Sequence, residues 1–398
     1  MTNYLRNGAF LAVILGVFFQ LYLKEVLFIV IGVGRQMQSI DEFPYRCRRL
    51  VHKQLEGCED LWLDDEERVL YAACSGSIAR TQWNQAMGKL NISARRPQGS
   101  ELMALNIDSP GPDGFFDLRK ITPENYVGAL GDKLLDLVGF DVEIVDSSTL
   151  RFWLINQRPP VDENGKLLDA QKIGANFTID VFELKRGKRT MRHIKTVADP
   201  DIYSPNNIAL LGEGKFVVTN DYSGKVGLRK EFDPLLGGGN VAFCPASGAC
   251  HLATPKNLIF PNGLTRGADG LVYVPSSFSD AILVMELQKD NKLKLIETIK
   301  LGMPVDNLSI DAKGDIYAAG MPKLLEFVGT LDDPFGKVAP STVWRISRGK
   351  EGFVKEKIVE DGEMRVLSGV TTARHDVKTG RLFMGAAVSP YLMVCDPK

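Results

Sequence analysis

A short motif returns along this chain, and its recurrence limits the possible folds more than any other feature. In its clearest copy, residues 305–320, the polar pair Asp306 and Asn307 opens a strand carrying Leu308 and Ile310. A turn follows at Lys313-Gly314, and Ile316 and Ala318 continue the apolar side. A period of two in apolar residues is the pattern of a half-buried β-hairpin. Copies stand at 59–71, 206–218 and 262–274, with weaker ones at 141–154 and 369–384. Hairpins repeating roughly every 45 to 80 residues are the signature of a propeller, in which each blade is a small antiparallel sheet around a central channel. The expected fold class is therefore all-β, a six-bladed β-propeller, with a hydrophobic helix at the N-terminus.

In a propeller, equivalent positions of the blades converge on the axis. Four copies open on a polar residue: Glu59, Asn206, Asn262, and the pair Asp306 and Asn307. Carboxylates and amides crowded into a channel are costly to bury unless paired or bound to a cation. Two carboxylates and three amides form an all-oxygen donor set, which suits Ca²⁺. One calcium ion is expected on the axis.

The remaining composition narrows the partners. A net charge of -1 with no basic stretch of note argues against nucleic acid. Residues 8–23 and 26–33 are almost wholly apolar, with Arg6 in front. No small-residue cleavage site follows the first run, so 1–40 reads as an uncleaved signal-anchor segment rather than a cleaved signal peptide. The propeller would then span 41–398, membrane-anchored on the lumenal or extracellular side, or secreted if the segment is cleaved.

Six cysteines fit an oxidising compartment. Cys47 and Cys395 bracket the propeller, and a bridge between them would fasten the ring, contributing about 5 kcal/mol in the chain-entropy model. The spacing of Cys244 and Cys250 admits a local bridge. Cys58 and Cys74 flank one hairpin; free, buried thiols are one reading for them, and their pairing is left open. The sequons at Asn91 and Asn176 suit glycosylated loops. A third, at Asn307, falls on a proposed metal ligand and is expected to stay unmodified. The basic group Arg46, Arg48 and Arg49 reads as a solvated or membrane-facing stretch.

Several segments resemble the calcium-dependent paraoxonase/arylesterase family: Glu59-Asp60-Leu61, Pro205-Asn206-Asn207-Ile208 with Thr219-Asn220-Asp221, Asn262-Gly263-Leu264, and 305–311. Gluconolactonases and strictosidine-synthase-like proteins are more distant propellers of the same kind. The resemblance implies a six-bladed propeller with two calcium ions in its channel and a disulfide between its ends. It places Glu59, Asn206, Asn262, Asp306 and Asn307 at a catalytic calcium. Asp60 would ligate a second, structural calcium, with Asn207 standing where the family has an aspartate. The family also uses a histidine pair beside the calcium, but this chain has only four histidines. Phe140 and Gln157 occupy the places of the pair, and His193 and His375 are expected to face solvent.

The function expected from these residues is calcium-dependent hydrolysis of carboxylic esters or lactones. Calcium would polarise the carbonyl, and Glu59 or Asp306 would serve as base. The competing expectation, prompted by the missing histidines, is a non-catalytic, calcium-stabilised propeller that binds a ligand or partner. No serine elbow, zinc-protease helix motif or phosphate loop occurs.

Overall fold

The structure is a computed structural model that describes residues 16, 17, 19–111 and 114–398. Each of the six hairpins forms the two inner strands of a blade. Blade 1 runs Cys58–Asp64, Val69–Cys74, Glu101–Asn106 and Asp117–Glu124 from the axis outward. Blade 2 follows with Leu137–Asp146, Thr149–Arg158, Asn176–Lys185 and Thr190–Val197. The inner pairs of blades 3, 4 and 5 are Pro205–Gly212 with Lys215–Asn220, Thr265–Arg266 with Val272–Pro275, and Val305–Ile310 with Ile316–Gly320. In blade 6, Thr372–Asp376, Arg381–Gly385 and Leu392–Pro397 are completed by Tyr45–Leu50 from the other end of the chain. The outer strands of blades 1 and 2 also pair in parallel, at Thr190 opposite Thr122. The fold is therefore the six-bladed propeller that the hairpin repeat predicts.

The hydrophobic core is a ring of interfaces. One buried cluster joins each pair of adjacent blades, from Tyr71, Phe140 and Phe152 between blades 1 and 2 to Leu61, Phe383 and Val394 between blades 6 and 1. The alternating residues of the inner strands point sideways into these interfaces because a blade is apolar on both faces. A seventh cluster caps one end of the channel. There the helix Leu324–Asp332 packs Leu324, Phe327 and Leu331 against Met321, Ala387 and Val30.

Ring closure is covalent as well as hydrogen-bonded. Cys47 and Cys395 face each other in register and form a disulfide. Cys244 and Cys250 form the local bridge. Cys58 and Cys74, whose pairing the sequence leaves open, are also bridged. They sit directly opposite across the first hairpin, which brings their side chains together. Two of the basic residues expected in solvent are docked: Arg48 pairs with Asp396, and Arg49 lies over the Tyr391 ring at 4.4 Å.

Most of the first apolar N-terminal run, residues 1–15 and 18, lies outside the described residues. Among the described residues no helix is long and apolar enough to cross a membrane. The second run forms a helical segment whose Val30 joins the capping cluster. Arg35 ties it down by donating to Pro322 O and, at 2.6 Å, to Gly302 O.

Candidate active site in the channel

Side chains along a regular strand alternate between faces, so two consecutive residues cannot both point at the axis. The inner strands avoid this limit with bulges. Register shifts fall at 58–60 in blade 1, 137–140 in blade 2, 205–208 in blade 3 and 305–308 in blade 5. A bulge inserts an unpaired residue and re-aims its side chain. The pairs Glu59-Asp60, Asn206-Asn207 and Asp306-Asn307 sit on three of these shifts. The first member of each pair lines one end of the channel, and Asp60 and Asn207 line the other.

At the capped end, Glu59, Asn206, Asn262 and Asp306 share one small cleft of about 80 Å³. Its walls are mainly apolar, with Tyr222, Phe260, Phe278, Met321 and Phe327 among them. Asn262 donates from Nδ2 to Ser277 Oγ at 2.6 Å, while its Oδ1 is buried without a hydrogen-bond partner. Asn307 lies one layer deeper. Its Nδ2 donates to the Glu59 backbone carbonyl at 3.3 Å, and its Oδ1 faces Asn207 Nδ2 at 3.4 Å. It is 2 % exposed, which takes the third sequon out of reach in the folded chain. Two glycines make room for these amides. A Cβ on Gly263 would collide with Asn307 Oδ1, and one on Gly139 would lie 2.5 Å from Asn207 Oδ1 and 2.6 Å from Asn206 O.

The charges are strongly perturbed. Burial, reinforced by the negative charge of Asp60, pushes the Asp306 carboxyl up to about 8, against partial relief from Asn262 and Arg80. Glu59 Oε2 meets the guanidinium of Arg80 as an ion pair, without the geometry of a hydrogen bond. Arg80 ends a short helix after the first hairpin, Ser77–Arg80, and donates from Nη1 to Leu137 O at 2.9 Å. Burial lowers Arg80 to about 10 while Asp136 and Asp306 pull it back up. The sequence reading missed Arg80, because nothing local marks a loop arginine as facing the axis.

The other end of the channel opens into a wider cavity of about 470 Å³. Asp60 and Asn207 line it together with Asp141, Arg374 and His375, none of which the sequence reading placed there. His375 is not a solvent-facing side chain. Its Nδ1 lies 2.8 Å from Asp311 Oδ2 and its ring stacks on Tyr317. His193 is likewise partly buried, with Nε2 3.0 Å from Thr196 Oγ1 on the outer strand of blade 2. Gln157 accepts from the Gln85 backbone at 3.1 Å, and Phe140 packs against Phe152. No histidine lines the capped cleft.

Among the described residues, no three His, Cys, Asp or Glu side chains cluster as a metal site. The donors at the capped end are instead two carboxylates with amides. An unpartnered, buried Asn262 Oδ1 beside the buried Asp306 carboxyl fits a hard cation there. The residues at the wide mouth do not fit a second ion, because the Asp60 oxygens and Asn207 Oδ1 are already engaged by N–H donors.

The arylesterase family model matches residues 165–395, more than half of the chain. The chain belongs to the arylesterase family. It is similar to human serum paraoxonase/lactonase 3, with 26% identity over 70% of this chain and 75% of the relative. Mouse serum paraoxonase/arylesterase 1 is 27% identical over 72% of this chain and 77% of its own. Among solved structures, a gluconolactonase from Xanthomonas campestris aligns with a TM-score of 0.46 and 15% identity, covering 91% of this chain and 94% of that one. A luciferin-regenerating enzyme aligns at 0.48 and 11%, covering 88% and 95%.

Proposed function

We propose that this arylesterase-family chain hydrolyses carboxylic esters or lactones in the capped cleft, using one calcium ion. The observation that carries the reading is the meeting of Glu59, Asn206, Asn262 and Asp306, from blades 1, 3, 4 and 5, in one buried cleft with apolar walls. When bound, calcium would act as a Lewis acid on the substrate carbonyl; Glu59, Asn206, Asn262, Asp306 and Asn307 would hold it. The apolar walls take up the aryl or alkyl part of the ester and exclude bulk water. Asp306, whose carboxyl lines the cleft, is the first candidate for base. It takes a proton from the attacking water and returns it to the leaving oxygen as the acyl C–O bond breaks. Glu59 is the second candidate, and the Arg80 ion pair fixes its orientation.

The test is turnover of phenyl acetate and a lactone panel by purified, calcium-loaded protein, with and without EDTA. Hydrolysis that EDTA abolishes, and that Asp306→Asn and Glu59→Gln each lower at least about 100-fold, is expected. No turnover across the panel would remove the hydrolase reading.

The absence of histidine from the cleft favours a second reading, a calcium-stabilised binding module. It predicts that Glu59→Gln lowers Tm in calcium while no ester is turned over. In either reading, 41–398 acts as one propeller unit behind the 1–40 segment in the secretory pathway. Three disulfides among the described residues and an exposed Asn91 support that compartment. Asn176, half-buried at the start of its strand, is the second proposed glycosylation site.

A further inference from the structure

We infer that Arg374 is the resident cation of the wide mouth, doing there what a second metal ion would do, so that the chain holds one calcium and not two. Two carboxylates from adjacent blades, the buried Asp60 and the half-buried Asp141, line this end. Their oxygens are already engaged. Asp60 Oδ1 accepts from Leu61 N at 2.8 Å; Oδ2 accepts from Phe140 N at 3.1 Å and from Asn207 Nδ2 at 3.0 Å. Asp141 accepts from Val142 N at 2.8 Å and Leu210 N at 3.0 Å. Asn207 turns its amide nitrogen to Asp60, and its Oδ1 accepts from Ile208 N at 2.8 Å. A divalent ion here would find hydrogen-bond donors where it needs oxygens.

The positive charge comes instead from blade 6. Arg374 is half-buried on the inner strand Thr372–Asp376 and donates from Nε to Leu61 O. Asp60, Asp141 and Asp65 line the same mouth, and the charge of Arg374 acts on both Asp60 and Asp141. A metal ion beside it would feel repulsion from a guanidinium that cannot deprotonate to yield. Arg374 also joins blade 6 to blade 1 through Leu61 O and lines the mouth with Asp141 of blade 2. A guanidinium therefore holds the interface of blades 6 and 1 at all calcium concentrations.

The inference rests on the hydrolase reading only for the calcium at the capped end. Its test counts ions and measures melting, not activity. Calcium bound to desalted wild-type protein is measured by atomic emission, and Tm is recorded in EDTA and in calcium. One ion per chain is expected. Arg374→Met lowers Tm in EDTA by several degrees, and Arg374→Lys lowers it less. Arg374→Met combined with Asn207→Asp, which restores oxygens and removes the repulsion, takes up a second ion and recovers Tm in calcium. Two ions in the wild type, or an Arg374→Met variant that melts in EDTA as the wild type does, would overturn the inference. Zero ions would remove the calcium reading of the capped end and leave the EDTA melting comparison to decide the role of Arg374. If Arg374→Met fails to fold, the wild-type ion count and Arg374→Lys still decide.

Discussion

Gly263 shows how little room the axis leaves. Its missing side chain is the space that Asn307 occupies, so Gly263→Ala must displace an amide of the proposed calcium site or shift the blade 4 strand. Calcium affinity should fall at least about tenfold, which is about 1.4 kcal/mol, and titration calorimetry would show it. Unchanged affinity would mean that Asn307 is no ligand. Asp306 makes a second prediction. Its folded carboxyl sits near 8, raised by burial and then by Asp60, while an unfolded aspartate titrates near about 4. Between those values the folded chain keeps a proton that the unfolded chain has lost. Stability in EDTA should therefore fall as pH rises from about 4 to about 8 and level off above. Calcium, which competes with that proton, should bind more tightly over the same window. Melting curves across this range check the slope, and Asp306→Asn should reduce it most between about 6 and 8, above the raised carboxyls of Asp141 and Asp221.

At the scale of elements, the bulges and the capping helix shape the cleft. The bulges let neighbouring residues of one strand serve both ends of the channel. This explains why the polar pairs occur as pairs. The helix Leu324–Asp332 closes the cleft with Leu324, Phe327 and Leu331. Phe327→Ala should cost about 2–4 kcal/mol of stability, towards the low end for a phenylalanine because the ring lies at the edge of its cluster. It should also widen the cleft, so that KM for bulky aryl esters drops relative to phenyl acetate. Denaturant melts and paired kinetics separate the two effects, and an unaltered ester preference would show that the helix does not wall the substrate.

At the scale of the molecule, the ring is closed by strands from opposite ends of the chain. The Cys47–Cys395 disulfide fixes that closure over a sequence separation of 348. Replacing both cysteines with alanine should lower stability by about 2–5 kcal/mol and broaden the melting transition as blade 6 frays first. Hydrogen exchange at Tyr45–Leu50 and Leu392–Pro397 would locate the loss, and protection equal to the wild type there would refute it. The same change should leave the blade 3 bridge at Cys244 and Cys250 intact, since that bridge is local to one hairpin.

Much of this architecture was written locally. A hairpin is specified by residues within about a dozen positions of one another, so apolar alternation around a turn marked all six inner strand pairs. The polar opening residues marked the axis because a propeller brings equivalent positions together. Even the Cys58–Cys74 bridge had a signal, since the two cysteines stand symmetrically about one turn. Other features depended on contacts between blades distant in sequence. Arg80 and Arg374 became channel residues only once loops and strands were placed. His375 left solvent because Asp311 and Tyr317, some sixty residues earlier, came to lie beside it. The sequence alone determined which segments pair and which polar residues open the inner strands. The closed ring decided which buried charges would meet, because electrostatic partners are set by distance in space and strand pairing by distance along the chain.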